Sequence, residues 1–248
     1  MHPIDNEHLP TDVKQRIEEI LAKHKITTDS IVNNPITNNF IDAKPSQSTT
    51  SSFVGKEIKL DPSKTIMSKT DKKGIIEYAN EYFMETSGYE EYELMGQPHN
   101  IIRHPDMPKV IFKELWTRLN KGENIHALVK NLTKNGNYYW VLTSFETKYN
   151  EDGEIISHYA RRKAAPGNAV YQVEKLYKTL LAIEKTQSVA VSERYFVGLL
   201  EEKGMNYDEF ILDILGVDQN SIASYFINEN DKTSTPKRRG VFGRLFSN

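Results

Sequence analysis

The sequence predicts an α+β domain in which a five-stranded antiparallel sheet carries helices on one face, with helical N- and C-terminal extensions. Three observations predict it. Between about residues 60 and 165, two short β-type runs are followed by helical patterns and then by three longer β-type runs. The β-type runs are divided by turn chemistry at Asp71-Lys72-Lys73-Gly74, Lys134-Asn135-Gly136-Asn137 and Asn150-Glu151-Asp152-Gly153. Apolar residues recur at helical spacing on both flanks.

Taken in order, Val13, Ile17, Ile20 and Leu21 lie behind Thr11 and Asp12, which can cap a first turn, so residues 1–29 are expected to hold a short amphipathic helix. Residues 30–59 turn to Asn, Thr, Ser and Pro and read as a flexible linker. In the region 60–165, Thr65 to Ser68 predicts a strand with Ile75 to Tyr78 as its hairpin partner. Asn80 opens a helix through Phe83 and Met84 that stops at Gly88, and Glu90 to Leu94 adds one turn. The run Gln97 to Lys109 then holds two His, one Arg, one Asp and three Pro, a stiff loop rich in hydrogen-bonding groups. Val110, Ile111, Leu115 and Leu119, with Trp116 alongside, predict the next helix, closed by Gly122. Ala127 to Leu132, Tyr138 to Phe145 and Ile155 to Tyr159 predict the last three strands. In the helical region 166–230, a stripe from Val170 to Ile183 leaves the sheet, with further helices expected at 191–203 and 206–227; a basic, aromatic tail occupies 231–248.

Composition narrows the function. A chain of 248 residues, 38% hydrophobic, can bury a core, and a net charge of -2 gives no reason to expect nucleic acid. The absence of cysteine removes disulfides, thiolate catalysis and Cys-ligated zinc. No apolar run approaches the ~18 residues needed to span a bilayer, and the N-terminus lacks a signal-peptide pattern, so a cytoplasmic protein is expected. The tail's basic and apolar residues allow peripheral contact with an anionic membrane face, or simply a solubilising tail.

Several ordered motifs carry a resemblance: Asn80 with Phe83, Ser87-Gly88-Tyr89, Glu93 to Asn100, Arg103-His104-Pro105-Asp106-Met107-Pro108, Leu128 to Asn131, and Lys134 to Val141. Together they resemble the PAS domain of bacterial aerotaxis and energy-taxis receptors, over about residues 60–165. The resemblance implies a flavin, FAD, bound noncovalently between sheet and helices and reporting redox state. Carried over position by position, it implies Asn80, Arg103, His104, Asp106, Phe112, Trp116 and Asn131 as cofactor-binding residues. Their chemistry suits the task, since Arg can clamp a pyrophosphate, aromatic rings can pack on the isoalloxazine, and Asn can serve donors and acceptors at its polar edge. The pattern departs from the family where Gly122-Glu123-Asn124-Ile125 replaces the usual Gly-Glu-Pro-Trp and where Leu132-Thr133 replaces a double Arg.

Plainer readings stand beside these. Arg103 and Asp106 can pair within their own loop, Asn80 can simply cap its helix, Trp116 can be core, and His126 and His158 can be packed or surface residues. His104 as a haem or metal ligand is the lesser alternative, because no second ligand stands at a recognisable spacing. With no nicotinamide-binding Gly-rich turn and no acid/base pair, an enzyme is not expected. The expected function is a PAS signal-transduction protein that senses redox or energy state through the flavin. It would relay this state to a separate chemoreceptor or chemotaxis signalling protein through its C-terminal helices, with a homodimer also possible for such a module. The alternative is a cofactor-free PAS interaction or dimerisation module.

Overall fold

The computed structural model describes residues 11–23 and 55–226. Residues 30–54 of the expected linker and the whole basic tail lie outside them. Strands β1 (Ile66–Asp71), β2 (Ile76–Ala79), β3 (Ile125–Leu132), β4 (Tyr138–Tyr149) and β5 (Ile155–Ala164) form one sheet in the order β2-β1-β5-β4-β3, every neighbouring pair antiparallel. β5 runs five residues past the expected Tyr159 because β1 and β4 offer it hydrogen-bonding partners on both sides, whatever the polarity of Arg161, Arg162 and Lys163. Residues 56 and 58 extend the sheet further, exchanging backbone hydrogen bonds with Tyr138 at the start of β4.

The β1–β2 reversal works as its residues require: the Asp71 carboxylate accepts the N–H groups of Lys73 and Ile75 at 2.8 and 2.9 Å, and Gly74 takes a positive φ of 78°. After β2 the chain crosses one face of the sheet through α2 (Glu81–Ser87), α3 (Glu91–Leu94), a 3-10 turn at His99–Ile102 and α4 (Lys109–Asn120). Asn80 begins this crossing. Its side-chain oxygen accepts from Phe83 N at 3.1 Å, capping α2, and from Met67 N at 2.9 Å, while its amide donates to the Thr65 carbonyl at 2.8 Å. One side chain thus caps the start of a helix and sews it to β1.

The C-terminal extension covers the other face and the free edge of β3. It comprises α5 (Gly167–Thr186), α6 (Val189–Lys203), α7 (Tyr207–Leu215) and α8 (Gln219–Phe226), with α1 (Thr11–Lys23) beside α6. The helices expected within 206–227 are two, because Gly216 closes α7 in a left-handed conformation at φ 68°. Leu128, Trp140 and Leu142 on this face are buried, and the Trp140 ring stacks on Tyr177 at 6.2 Å between centroids. The Tyr177 hydroxyl donates to the Leu128 carbonyl at 2.8 Å, so the Tyr207 hydroxyl, 2.6 Å away, must donate to Tyr177. Asp208 on α7 accepts the backbone N–H of His126 at 2.6 Å. Each large apolar side chain buried here contributes about 1.5–3 kcal/mol. None of the described helices is long and apolar enough to cross a membrane.

An Asn80→Ala substitution removes the cap and both links to β1, and is expected to cost about 2 kcal/mol of stability. A urea midpoint in a folded variant equal to that of the wild type would contradict this role.

Candidate functional site

Between the crossing helices and the sheet lies a cleft of ≈ 830 Å³, its open mouth included. Phe112 and Trp116, one helical turn apart on α4, form an aromatic wall, and the 3-10 turn with Arg103 forms the lip. The floor comes from alternate residues of four strands: Ser68 and Thr70 of β1, Asn131 of β3, Thr143 and Phe145 of β4, and His158, Ala160 and Arg162 of β5.

This floor is polar where a helix-covered sheet face is usually apolar. The Asn131 amide nitrogen, the Thr143 hydroxyl and His158 Nε2 are buried and make no hydrogen bond among the described residues. The fully buried Tyr139 stands directly opposite Asn131 across the β3–β4 ladder. Each buried atom left unpaired costs about 1–3 kcal/mol relative to a satisfied one. A planar heteroaromatic ligand with donors and acceptors along its edge fits this donor set, because it would pack between aromatic side chains and pair with the polar floor.

Four of the seven expected residues come together here: Arg103, Phe112, Trp116 and Asn131 all line the cleft. The backbones of Arg103 and Asn131 pair in an isolated antiparallel bridge, which hangs the lip on the edge of β3. The Arg103 guanidinium stands 4.1 Å from the Phe112 ring centroid, and burial lowers its pKa to about 10 against the supporting charge of Glu184.

Asn80, His104 and Asp106 lie off the cleft. Asn80 is the α2 cap described above. His104 turns inward beneath the lip, where its Nδ1 accepts from Asp106 N at 3.0 Å and its ring meets Tyr138 edge-on. Burial and the Lys130 charge push His104 down to about 4, partly opposed by Asp106. Burial raises the Asp106 pKa, but the Lys130 ammonium 2.7 Å away outweighs it and holds the group low. Ile125 is fully buried away from the cleft lining, and Thr133 ties the β3–β4 turn by accepting from Asn137 N at 2.9 Å.

Sequence reasoning missed His99, Thr143, His158 and Arg162 as cleft residues. The available signal was the period of two on β4 and β5, which places Thr143 with Phe145 and Arg162 with Ala160 on one face. His99 joins them from the 3-10 turn: its Nε2 lies 3.1 Å from Ser68 Oγ and 2.9 Å from an Arg162 nitrogen, and its ring stacks on Phe83.

Burial, reinforced by Arg162, pushes His99 from 6.5 down to about 3. Its contribution to stability is therefore full above the unfolded pKa and is lost as pH falls from ~6.5 towards about 3, at up to ~1.4 kcal/mol per pH unit. His104 acts in the same direction. His99→Gln should make the acid side of a stability–pH profile shallower; an unchanged slope would refute the assignment. Thr143→Val removes an unpaired hydroxyl at nearly constant volume and should raise ligand-free stability by about 1 kcal/mol while weakening ligand binding. Thermal unfolding with and without ligand measures both.

Residues 76–159 match the PAS fold family. The chain is 42% identical over 140 residues to the aerotaxis receptor of Escherichia coli strain K12, covering 56% of this chain and 26% of that protein. It is 29% identical over 122 residues to the biofilm dispersion protein of Pseudomonas aeruginosa, covering 44% of this chain and 29% of that one. A solved structure from work on light-oxygen-voltage domains with a flavin analogue overlaps 45% of this chain and 84% of its own at 17% identity, with a TM-score of 0.42. The chain thus spans little more than a quarter of these two curated relatives. Residues 76–159 thus match the PAS fold, and the sequence that contains them is similar to that of a bacterial aerotaxis receptor.

Proposed function

We propose that this chain is a redox or energy sensor that holds FAD noncovalently in the PAS cleft and passes its state through the C-terminal helices to a separate chemotaxis receptor or signalling protein. The observation that carries this reading is the cleft floor, where buried amide, hydroxyl and imidazole atoms without partners face an aromatic wall. Likeness to a protein named as an aerotaxis receptor supports it. The flavin supplies reversible electron transfer. Phe112 and Trp116 would pack its ring, Asn131, Thr143 and His158 would pair with its polar edge, and Arg103 would hold its phosphates at the lip. The role is sensory rather than catalytic, in the cytoplasm.

The relay is supported by a carboxylate. Pro108 at the start of α4 offers no side-chain cap, and Glu184 of α5 takes that role by accepting the N–H groups of Lys109 and Val110, each at 2.9 Å. The same carboxylate acts electrostatically on Arg103 in the cleft. A change of charge on the ligand alters the field at Arg103, and through Glu184 the seating of α5 on α4. A tenfold change in output needs only about 1.4 kcal/mol of differential interaction.

The absorbance spectrum of the purified protein, as isolated and after incubation with FAD, tests the cofactor. A stoichiometric band near about 450 nm is expected. A colourless protein would overturn the flavin reading in favour of the alternative, a cofactor-free interaction module, which the aliphatic Ile125 and the Leu132-Thr133 pair favour. For the relay, hydrogen exchange in α5 should differ between oxidised and reduced FAD-loaded protein, and Glu184→Gln should abolish that difference without releasing FAD. A difference that persists in the variant would exclude Glu184 as the link.

A further inference from the structure

Arg162 is the most deeply placed cation of the cleft. It lies on the middle strand, opposite Ile66 of β1 and Thr143 of β4, with only 3% of its surface exposed. One guanidinium nitrogen donates to Ser68 Oγ and another to His99 Nε2, each at 2.9 Å, and the group stands 5.8 Å from the Phe83 ring centroid. All three neighbours are uncharged. Because Arg162 donates to it, His99 Nε2 presents its lone pair, so the imidazole is neutral. Among the described residues no carboxylate pairs with Arg162, whereas Arg161 one position earlier is bonded to Glu146.

Burial lowers the Arg162 pKa only to about 10, so the group stays charged at neutral pH. An unpaired charge in a protein interior is costly, and it is tolerated where a counter-charge arrives from elsewhere. Ser68 and His99 each hold one of the two terminal nitrogens and orient the planar fork, while the residue still lines the cleft. Here a ligand can bring the missing anion.

We propose that Arg162, oriented by His99 and Ser68, is the anion subsite of the cleft and receives the edge of the bound flavin ring that becomes negative on reduction. This rests on the flavin reading. When a reduced electron carrier delivers two electrons and one proton, the ring gains one net negative charge, and the guanidinium neutralises it without giving up a proton. Arg162 therefore binds reduced flavin more tightly than oxidised flavin and raises the midpoint potential. A sensor built this way switches at a less reducing poise than the same cleft without the cation.

The test uses the full chain loaded with FAD and titrated with dithionite against a reference dye, for wild type, Arg162→Gln and Arg162→Met. The neutral variants should lose at least tenfold of the preference for reduced over oxidised flavin, a fall in two-electron midpoint of about 30 mV or more. Met is the second variant because apolar replacement of a buried charge is well tolerated. In FAD-free protein, Arg162→Met should raise the urea midpoint, since it removes an uncompensated charge. Neutral variants that bind FAD and titrate like wild type would overturn the inference alone, as would a lowered urea midpoint in FAD-free Arg162→Met. Wild-type protein that takes up no FAD would overturn the flavin reading and the inference with it.

Discussion

Arg162 stands on the middle strand of the sheet with a hydroxyl, an imidazole and an aromatic ring around it, and no carboxylate among the described residues. A guanidinium cannot shed its proton to relieve burial, and it cannot be packed under apolar side chains without a large penalty. Together with Asn131, Thr143 and His158 it makes the centre of this sheet face unsuitable for closure by helices. The crossing helices bury Phe83, Val110, Ile111 and Leu115, while Phe112 and Trp116 of α4 line the cleft over the polar floor. The cleft is the space that this polar floor keeps open.

The second face adds its own packing, since Leu128, Trp140 and Leu142 are buried beneath the C-terminal helices, with the Tyr207 hydroxyl bonded to that of Tyr177 and the latter to a β3 carbonyl. The same helices reach around the β3 edge to the cleft side, where Glu184 completes the uncapped start of α4. The cleft-side helix α4 and the C-terminal helix α5 therefore share a structural joint at Glu184.

Much of the fold was legible because it follows from local rules. The turns at Asp71–Gly74 and Asn150–Gly153, the alternation of helical and β-type periods, and the Asn80 and Gly88 boundaries of α2 each depend on residues within a few positions of one another. The cleft was legible only in part. Arg103, Phe112, Trp116 and Asn131 meet there as the motif implies, while Asn80, His104 and Asp106 turn to capping and loop bracing, roles that the same residue types serve equally well. Arg162 was invisible because β5 seemed to end before it: a polar run without neighbours does not read as a strand, and its partners Ser68 and His99 lie 94 and 63 residues away in the chain.

By itself, the sequence determined the order of elements, the antiparallel hairpins and the PAS-like motif set, since periodicity, turn chemistry and capping are short-range properties of the chain. Tertiary structure alone decided how far β5 extends, that the C-terminal helices back the sheet and cap α4, and which polar side chains are left facing the cleft without partners. Those outcomes depend on long-range pairing, where burial and hydrogen bonding are shared between residues far apart in sequence and no local preference can specify them.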